Sequence, residues 1–128
     1  MSDTKNTKKL LIFNMDENKA TLIRTLCVNL NVRLVKVYSP QYGESIGALA
    51  GIPAYPLTNQ PYRGEDFSQE MMVICGFTPD ELDVFLKAYR EAGIPPVWLK
   101  ATVTPLNMNW SAAQLYKELS EEHKQLHG

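Results

Sequence analysis

The sequence contains few of the residues that define several protein classes. Its 128 residues include only two cysteines and two histidines, too few for a disulfide scaffold or for a zinc site made of four cysteines. No apolar run approaches the roughly 18 residues of a membrane-spanning helix, and residues 1–9 lack the apolar segment of a signal peptide. These absences predict a cytoplasmic protein with free thiols, no membrane association and no metal.

Neither sign of charge dominates the chain, which has 13 basic and 14 acidic residues. Nucleic-acid binding is therefore disfavoured, because a phosphate-backbone binder needs a contiguous basic face and the pI is near 6.1. The charges are nevertheless unevenly placed: residues 1–64 have eight basic and four acidic side chains, and residues 65–128 have five and ten. Two halves of one domain that attract each other explain this asymmetry, and self-association is the alternative hypothesis.

Apolar residues make up 45% of the chain, as in ordinary globular proteins, and the length fits a single domain. Its first part reads as strand, helix, strand and short helix. Residues 10–13 form an apolar run, residues 19–30 repeat apolar side chains at helical spacing, and residues 32–38 are rich in valine. The small residues of 41–51 predict a short, closely packed helix. This order favours a β-α-β unit followed by a helix.

The same order of elements returns after residue 70. Residues 71–74 predict a strand, and Thr78-Pro79-Asp80-Glu81 has the residues of a capping box at the start of a helix. Gly93 suits the left-handed position after that helix, and residues 97–103 predict a fourth strand. A last helix begins near Asn109, and its apolar stripe is Ala112, Leu115, Leu119 and Leu126.

We therefore divide the single domain, residues 1–128, into four parts: a flexible N-terminus (1–8), a first half (10–51), a connection rich in proline and tyrosine (52–69) and a second half (70–128). The connection is either a functional lid, or an ordered structural link or mobile loop. The predicted fold is α/β (α+β), a ferredoxin-like split β-α-β repeat with a four-stranded antiparallel sheet and helices on one face. A parallel doubly wound sheet is the alternative.

Two blocks of the second half carry a family resemblance. They are Cys75-Gly76-Phe77-Thr78-Pro79 and the stretch from Lys100 to Trp110, which reads Lys-Ala-Thr-Val-Thr-Pro-Leu-Asn-Met-Asn-Trp. With them the chain resembles a bacterial family of small uncharacterised proteins, a domain of unknown function. The resemblance implies a compact α/β protein and names no substrate, cofactor or catalytic residue.

The residues from 100 to 110 also form the candidate ligand site. They combine a cation, hydroxyls, amides and an indole near a predicted helix start, where unpaired N–H groups attract anions. Consecutive parallel strands would bring Thr78 to the same edge of the sheet. The candidate ligand-binding residues are Thr78, Lys100, Thr102, Thr104, Asn107, Asn109 and Trp110. In the structural alternative, Asn109 caps the last helix, Asn107 and Thr104 bond to their own turn, and Trp110 packs in the core.

Cys75 is the candidate for catalysis, because a thiol before a helix start can have a lowered pKa. Both histidines lie at the end of the chain, so no base is evident, and a packed thiol is the alternative. The glycines at 43, 47 and 51 have no following Lys-Ser or Lys-Thr, so we expect no nucleotide cofactor. The leading hypothesis is a non-catalytic binding or interaction module for an anionic or polar small molecule. The alternatives are a thiol-dependent enzyme and, for assembly, a homodimer through the strand at 32–38.

Overall fold

The computed structural model describes residues 8–127, and the side chains of residues 8–126. The prediction of a flexible N-terminus at 1–8 falls, up to residue 7, outside the described residues. The elements in chain order are β1 (Lys9–Phe13), α1 (Glu17–Asn29), β2 (Arg33–Val37), α2 (Ile46–Leu49), β3 (Met71–Cys75), α3 (Pro79–Glu91), β4 (Leu99–Thr102) and α4 (Ala112–His127). Single turns of 3-10 helix at Ser39–Gln41 and Asn107–Asn109 precede α2 and α4. All the predicted elements are present.

The strands form one open sheet in the order β2-β1-β3-β4. The pairs β1–β2 and β3–β4 are parallel, and only the central β1–β3 pair is antiparallel. The antiparallel ferredoxin-like sheet is therefore not confirmed, because each crossover helix returns its strand directly beside the strand before it. The all-parallel alternative fails at the β1–β3 pair. The result is a mixed sheet of two β-α-β units.

Helices cover both faces of the sheet, which corrects the prediction of helices on one face. Leu10 and Ile12 of β1 pack against α1 and α3, whereas Leu11 and Phe13 pack against α2 and α4. Successive side chains of a strand point to opposite faces, so an entirely apolar strand requires cover on both. The runs at 10–13 and 71–74 are buried throughout for this reason.

The two β-α-β units repeat each other closely in backbone conformation. From Lys9 to Met71 the offset is 62 positions, and both crossover helices have 13 residues. At the same offset, positive φ occurs at Asn14 and Gly76 and at Asn31 and Gly93, and side-chain caps occur at Asp16 and Thr78. Each unit then continues into a helix that follows a serine. Ser45 and Ser111 form an isolated antiparallel bridge.

The predicted start of α3 is confirmed. The backbone N–H of Glu81 donates to Thr78 Oγ1 at 3.2 Å, and the N–H of Thr78 donates to Glu81 Oε1 at 2.9 Å. Pro79 occupies the first turn, and Gly93 adopts φ +73° after the helix. Phe85 and Tyr89, from the predicted apolar stripe, lie in the core.

The predicted start of α4 and the place of Leu126 in its apolar stripe need correction. Asn109 does not cap the helix, because the N–H of Gln114 donates to Ser111 Oγ at 3.1 Å. Leu126 is 80% exposed. The helix has 16 residues and is about 24 Å long, whereas β4, which it contacts, has four residues. The last turns of α4 therefore extend beyond the core.

The connection at 52–69 contains no helix or strand but is fixed to the domain. Glu44 is only 3% exposed. Its carboxylate accepts hydrogen bonds from the N–H and hydroxyl of Thr58 and from the N–H of Asn59, at 2.8 to 3.1 Å. Phe67 stacks between Tyr42 and Tyr116, with ring centroids 3.8 and 3.9 Å away. The buried carboxylate therefore holds the middle of the connection, and the ring stack holds its last residues.

Among the described residues, two ion pairs join a basic side chain from positions 1–64 to an acidic one from positions 65–128. Lys19 Nζ lies 2.5 Å from Glu70 Oε1, and Lys8 Nζ lies 3.5 Å from Glu81 Oε2. This arrangement fits the hypothesis that the charge asymmetry attracts the halves to each other. None of the described helices has the length and hydropathy needed to cross a bilayer.

Candidate functional site

The polar groups of the predicted cluster at 100–110 bond mainly to one another and to nearby backbone. Lys100 Nζ donates to the carbonyl of Val97 at 2.8 Å. The N–H of Thr104 donates to Asn107 Oδ1 at 2.9 Å, the N–H of Asn107 donates to Thr104 Oγ1 at 3.1 Å, and the Asn107 amide also donates to the carbonyl of Thr102 at 2.9 Å. The structural interpretation of Asn107 and Thr104 is confirmed: they close their own turn.

The start of α4 likewise directs its amides to protein acceptors. The N–H of Ala112 donates to the carbonyl of Glu44, and that of Ala113 to the carbonyl of Tyr42, both at 3.0 Å. Trp110 is half-buried and packs against the core cluster on this face, while the Asn109 amide donates to the carbonyl of Pro105 at 3.1 Å. The helix start therefore lies inside the fold and does not supply the anion donors expected of it.

The prediction that two distant turns share one edge of the sheet is confirmed in its geometry, because β3 and β4 are parallel. Thr78 and Thr102 line one cleft of about 260 Å³. Lys100, Asn107 and Trp110 do not line it. The first turn of α3 carries Asp80 and Glu81, whose charges oppose an anion at this position.

Cys75 lacks the environment of a catalytic thiolate. Burial raises its pKa, and the nearby Lys9 only partly offsets this effect. Burial raises the pKa of Cys27 to about 11. Among the described side chains, no three histidines, cysteines or carboxylates cluster as metal ligands would. The geometry favours packed thiols at both positions.

A larger crevice lies at the opposite end of the strands, where β1 and β2 end. It encloses about 300 Å³, and we call it the β1–β2 crevice. Ligand sites in α/β proteins favour the carboxyl ends of parallel strands. The lining residues are Ile12, Asn14, Met15, Glu17, Lys36, Val37, Tyr38, Ser39, Tyr42, Asp66 and Phe67.

Local conformation at the end of β1 shapes the crevice. Asn14 adopts φ +54°, a left-handed conformation that asparagine tolerates better than most residues. Its side-chain amide donates to the carbonyls of Phe67 at 3.0 Å and Gln69 at 3.4 Å. These bonds hold the end of the 52–69 connection against β1, and the connection thereby forms one wall of the crevice.

Three charged side chains converge on the crevice. Glu17, on the first turn of α1, and Lys36, on β2, form an ion pair at 3.4 Å. The glutamate side chain is 82% exposed, so this contact is a weak, solvated one. The third is Asp66, from the connection. Two carboxylates and one ammonium give the crevice an excess of negative charge.

Tyr42, which also lines the crevice, has a neutral phenol. Burial, followed by the charges of Asp66 and Tyr116, raises its pKa. The phenol therefore remains protonated at neutral pH and keeps its capacity to donate a hydrogen bond.

Sequence reasoning placed the site in the second half and missed the crevice in the first. A signal was present, because Asn14 and Glu17 directly follow a buried strand just as Gly76 and Pro79 do. No comparable signal marks Asp66, whose position depends on how the connection folds back over the end of β1.

Residues 70–126 match the family model of a domain of unknown function (DUF3783). The matched segment contains β3, α3, β4 and nearly all of α4, together with the cleft between Thr78 and Thr102. No curated protein and no solved structure gives a significant match to the chain.

Proposed function

We propose that the protein is a non-catalytic binding module for a small polar molecule that carries an amino group, held in the β1–β2 crevice. The observation that carries this proposal is the convergence of Glu17, Lys36 and Asp66 on a crevice with apolar walls. A charged ligand group is bound most strongly where opposite charges and hydrogen-bonding groups surround it.

The balance of charge in the crevice favours a cationic or zwitterionic ligand over an anion. The donors at the start of α1 are already matched with carboxylates: the N–H of Lys19 donates to Asp16 at 3.0 Å, and the N–H of Asp16 donates to Glu70 at 2.9 Å. An anion placed there would meet negative charge, whereas an ammonium group would gain Glu17 and Asp66 as partners. Lys36 is then available to a ligand carboxylate.

The size and walls of the crevice limit the ligand. A volume of about 300 Å³ is at the lower end of small-molecule sites and suits a compound of amino-acid size. Met15, Val37 and the rings of Tyr42 and Phe67 provide apolar surface beside the charged groups. A zwitterion with a short apolar side chain matches both features.

The test is a calorimetric titration with series of probe compounds that are matched in molecular size. One series contains amino acids with apolar side chains, and the other contains the corresponding carboxylic acids without the amine. Of these two series, we expect only the first to bind, and Asp66→Asn to weaken that binding by about tenfold, equivalent to about 1.4 kcal/mol. Lys36→Met should weaken the binding of the amino acids but not that of the corresponding amines without the carboxylate, which form a third series.

Thr102→Ala is the matched control, because it changes the cleft between Thr78 and Thr102, where β3 and β4 end. Its titration should equal that of the unaltered protein. Binding of the acids alone, or binding that is indifferent to Asp66, would contradict the proposal.

The other sequence-based functions stay predictions. An anion site at Lys100–Trp110 gains no support, because its donors bond to protein acceptors. Thiol catalysis at Cys75 gains none from a raised pKa. β2 lies at the sheet edge, and homodimer formation through it is a matter for measurements of mass in solution.

A further inference from the structure

We propose a second binding site, for the ring of a neutral sugar, in a cleft beside Trp98. The cleft encloses about 290 Å³ and is lined by Asn14, Ser68, Gln69, Glu70 and Trp98. We call it the Trp98 cleft. Its proposed ligand contacts are the indole ring and the side chains of Ser68 and Gln69.

The position of Trp98 depends on a segment that only the second half contains. In the first half, Val32 leads directly into β2, whereas the corresponding Ile94 is followed by residues 95–98 before β4 begins. This segment brings Trp98 next to Glu70, because Leu99 pairs with Met71 in the sheet. Trp98 therefore lies where β3 and β4 begin.

Trp98 is exposed yet held in place. Its side chain is 64% exposed, although a tryptophan of a small domain usually contributes to the core. Its ring lies against the imidazole of His123 on α4, with centroids 6.4 Å apart and planes at 27°. A ring supported in this way is preorganised to stack on the flat apolar face of another ring, which lowers the entropic cost of binding.

The polar groups around the cleft favour a neutral, hydroxyl-rich ligand. The charge of Glu70 is already compensated by Lys19 at 2.5 Å, so it offers little to a cation. Ser68 and Gln69 are exposed. The Gln69 amide can both donate and accept, and the Ser68 hydroxyl, which already lies 3.1 Å from the Tyr116 hydroxyl, keeps further hydrogen-bonding capacity. Sugars combine apolar ring faces with hydroxyls that need such partners, whereas the described lining residues of the cleft offer a charged ligand no unmatched charge.

This inference does not depend on the proposed function. The Trp98 cleft and the β1–β2 crevice share only Asn14, and the amide of Asn14 is already bonded to the connection. An amino group in one site and a sugar ring in the other are separate requirements, so either proposal can fail alone.

The two tryptophans of the chain permit a specific test. The Trp110→Phe protein reports fluorescence from Trp98 alone, and the Trp98→Phe protein reports it from Trp110 alone. Each is titrated with methyl glucoside, methyl galactoside and the disaccharides maltose, cellobiose and lactose. We expect saturable changes in the emission of Trp98 at millimolar sugar and none in that of Trp110.

Calorimetry with the best of these sugars then measures the contribution of the ring. Trp98→Ala should weaken binding by about tenfold, Trp98→Phe by less, and Gln69→Ala should also weaken it. Trp110→Phe should leave it unchanged. Because Trp98 is exposed, all of its variants are expected to fold, which far-ultraviolet circular dichroism checks.

Two results would overturn the inference. One is an unchanged Trp98 emission with every sugar at concentrations up to the solubility limit. The other is an emission that depends on protein concentration instead of sugar, with a matching rise in mass by light scattering, which would assign Trp98 to a contact between copies of the chain.

Discussion

The carboxyl ends of the two parallel strand pairs have the same backbone plan and different surfaces. At one end, Asn14 and Glu17 open onto a crevice with three charged side chains. At the other, Gly76 and Pro79 border a smaller cleft without a charged lining residue. The backbone plan is preserved because it depends on a left-handed residue, a cap and a helix of fixed length. The chemistry differs because it depends on side chains that those requirements do not restrict.

The ion pairs extend this comparison. Lys8 and Glu70 precede β1 and β3 at the 62-position offset, and Lys19 and Glu81 occupy the third position of α1 and α3. The pairs Lys8–Glu81 and Lys19–Glu70 are therefore equivalent, with the signs of charge exchanged. One half supplies both cations and the other both anions, so each half fits its complement better than a copy of itself.

The largest expected effect concerns Glu44. It precedes Ser45 in the first half, as Trp110 precedes Ser111 in the second. Glu44→Ala should lower the free energy of unfolding by about 3 kcal/mol, because two backbone N–H groups lose a charged acceptor. Urea denaturation at pH 7 measures this loss in the free energy of unfolding. Glu65→Ala, an exposed glutamate of the connection, is the control and should change stability little.

The same carboxylate predicts a pH dependence. Burial alone would raise the pKa of Glu44, but hydrogen bonds from Thr58 and Asn59 outweigh burial and lower it. A carboxyl with a lowered pKa in the folded state stabilises above its unfolded pKa, near 4.3, and loses that contribution as the pH falls through the folded value. The stability difference between the protein and its Glu44→Gln variant should therefore shrink below about pH 4. A difference that is constant with pH would contradict this account.

The next effect separates the two ion pairs. Lys19→Met should cost about 1 to 2 kcal/mol, because Lys19 pairs with Glu70 in a partly buried site and also donates to the carbonyl of Pro96. Lys8→Met should cost less, since its pair with Glu81 is longer and more exposed. Double-mutant cycles on both pairs, repeated in high salt, measure the difference. Equal coupling energies would show that the equivalence of the pairs extends to their energetics.

A smaller effect is expected where each crossover helix ends. Gly93 has φ +73° and open space around its Cα, so Gly93→Ala should cost about 1 kcal/mol from backbone strain alone. Gly93→Asn should cost less, because Asn31 holds the corresponding position at φ +58°. Thermal unfolding of the two variants compares them. If asparagine destabilised as much as alanine, the backbone equivalence of the halves would fail there.

The smallest effect concerns Cys75, which stands where the first half has the buried Phe13. Because burial raises the pKa of Cys75, we expect iodoacetamide to modify it several-fold more slowly than free cysteine at neutral pH, and faster as the pH rises. Cys27 should react more slowly still. Mass spectrometry of timed samples follows both thiols. Rapid modification of Cys75 at neutral pH would restore the thiol-enzyme hypothesis.

Local sequence signals predicted the elements well. The capping box at Thr78, the left-handed Gly93 and the apolar runs of β1 and β3 each act over a few residues, so the sequence around them contains the whole cause. Strand pairing was predicted less well. A split and an unsplit β-α-β repeat need the same strands and helices, and they differ only in which edges meet.

The candidate site could not be predicted from local sequence either, because it also depends on which distant segments meet. The amides at the start of α4 look available in the sequence, but the carbonyls of Tyr42 and Glu44 reach them from the other half. Asp66 is a loop residue in the sequence, and the bonds from Asn14 to the connection bring it to the end of β1. Pairings between residues about 50 to 70 positions apart decide both results.

The amino-acid sequence by itself determined the strands, the helices and their caps, the entirely apolar central strands and the uneven distribution of charge between the halves. Only the tertiary structure decided that two complementary halves meet antiparallel, that both faces of the sheet are covered, and which donors remain for a ligand. Caps and periodicity are satisfied by neighbours along the chain, whereas the partners of a polar group at the end of a strand are chosen when distant segments pack.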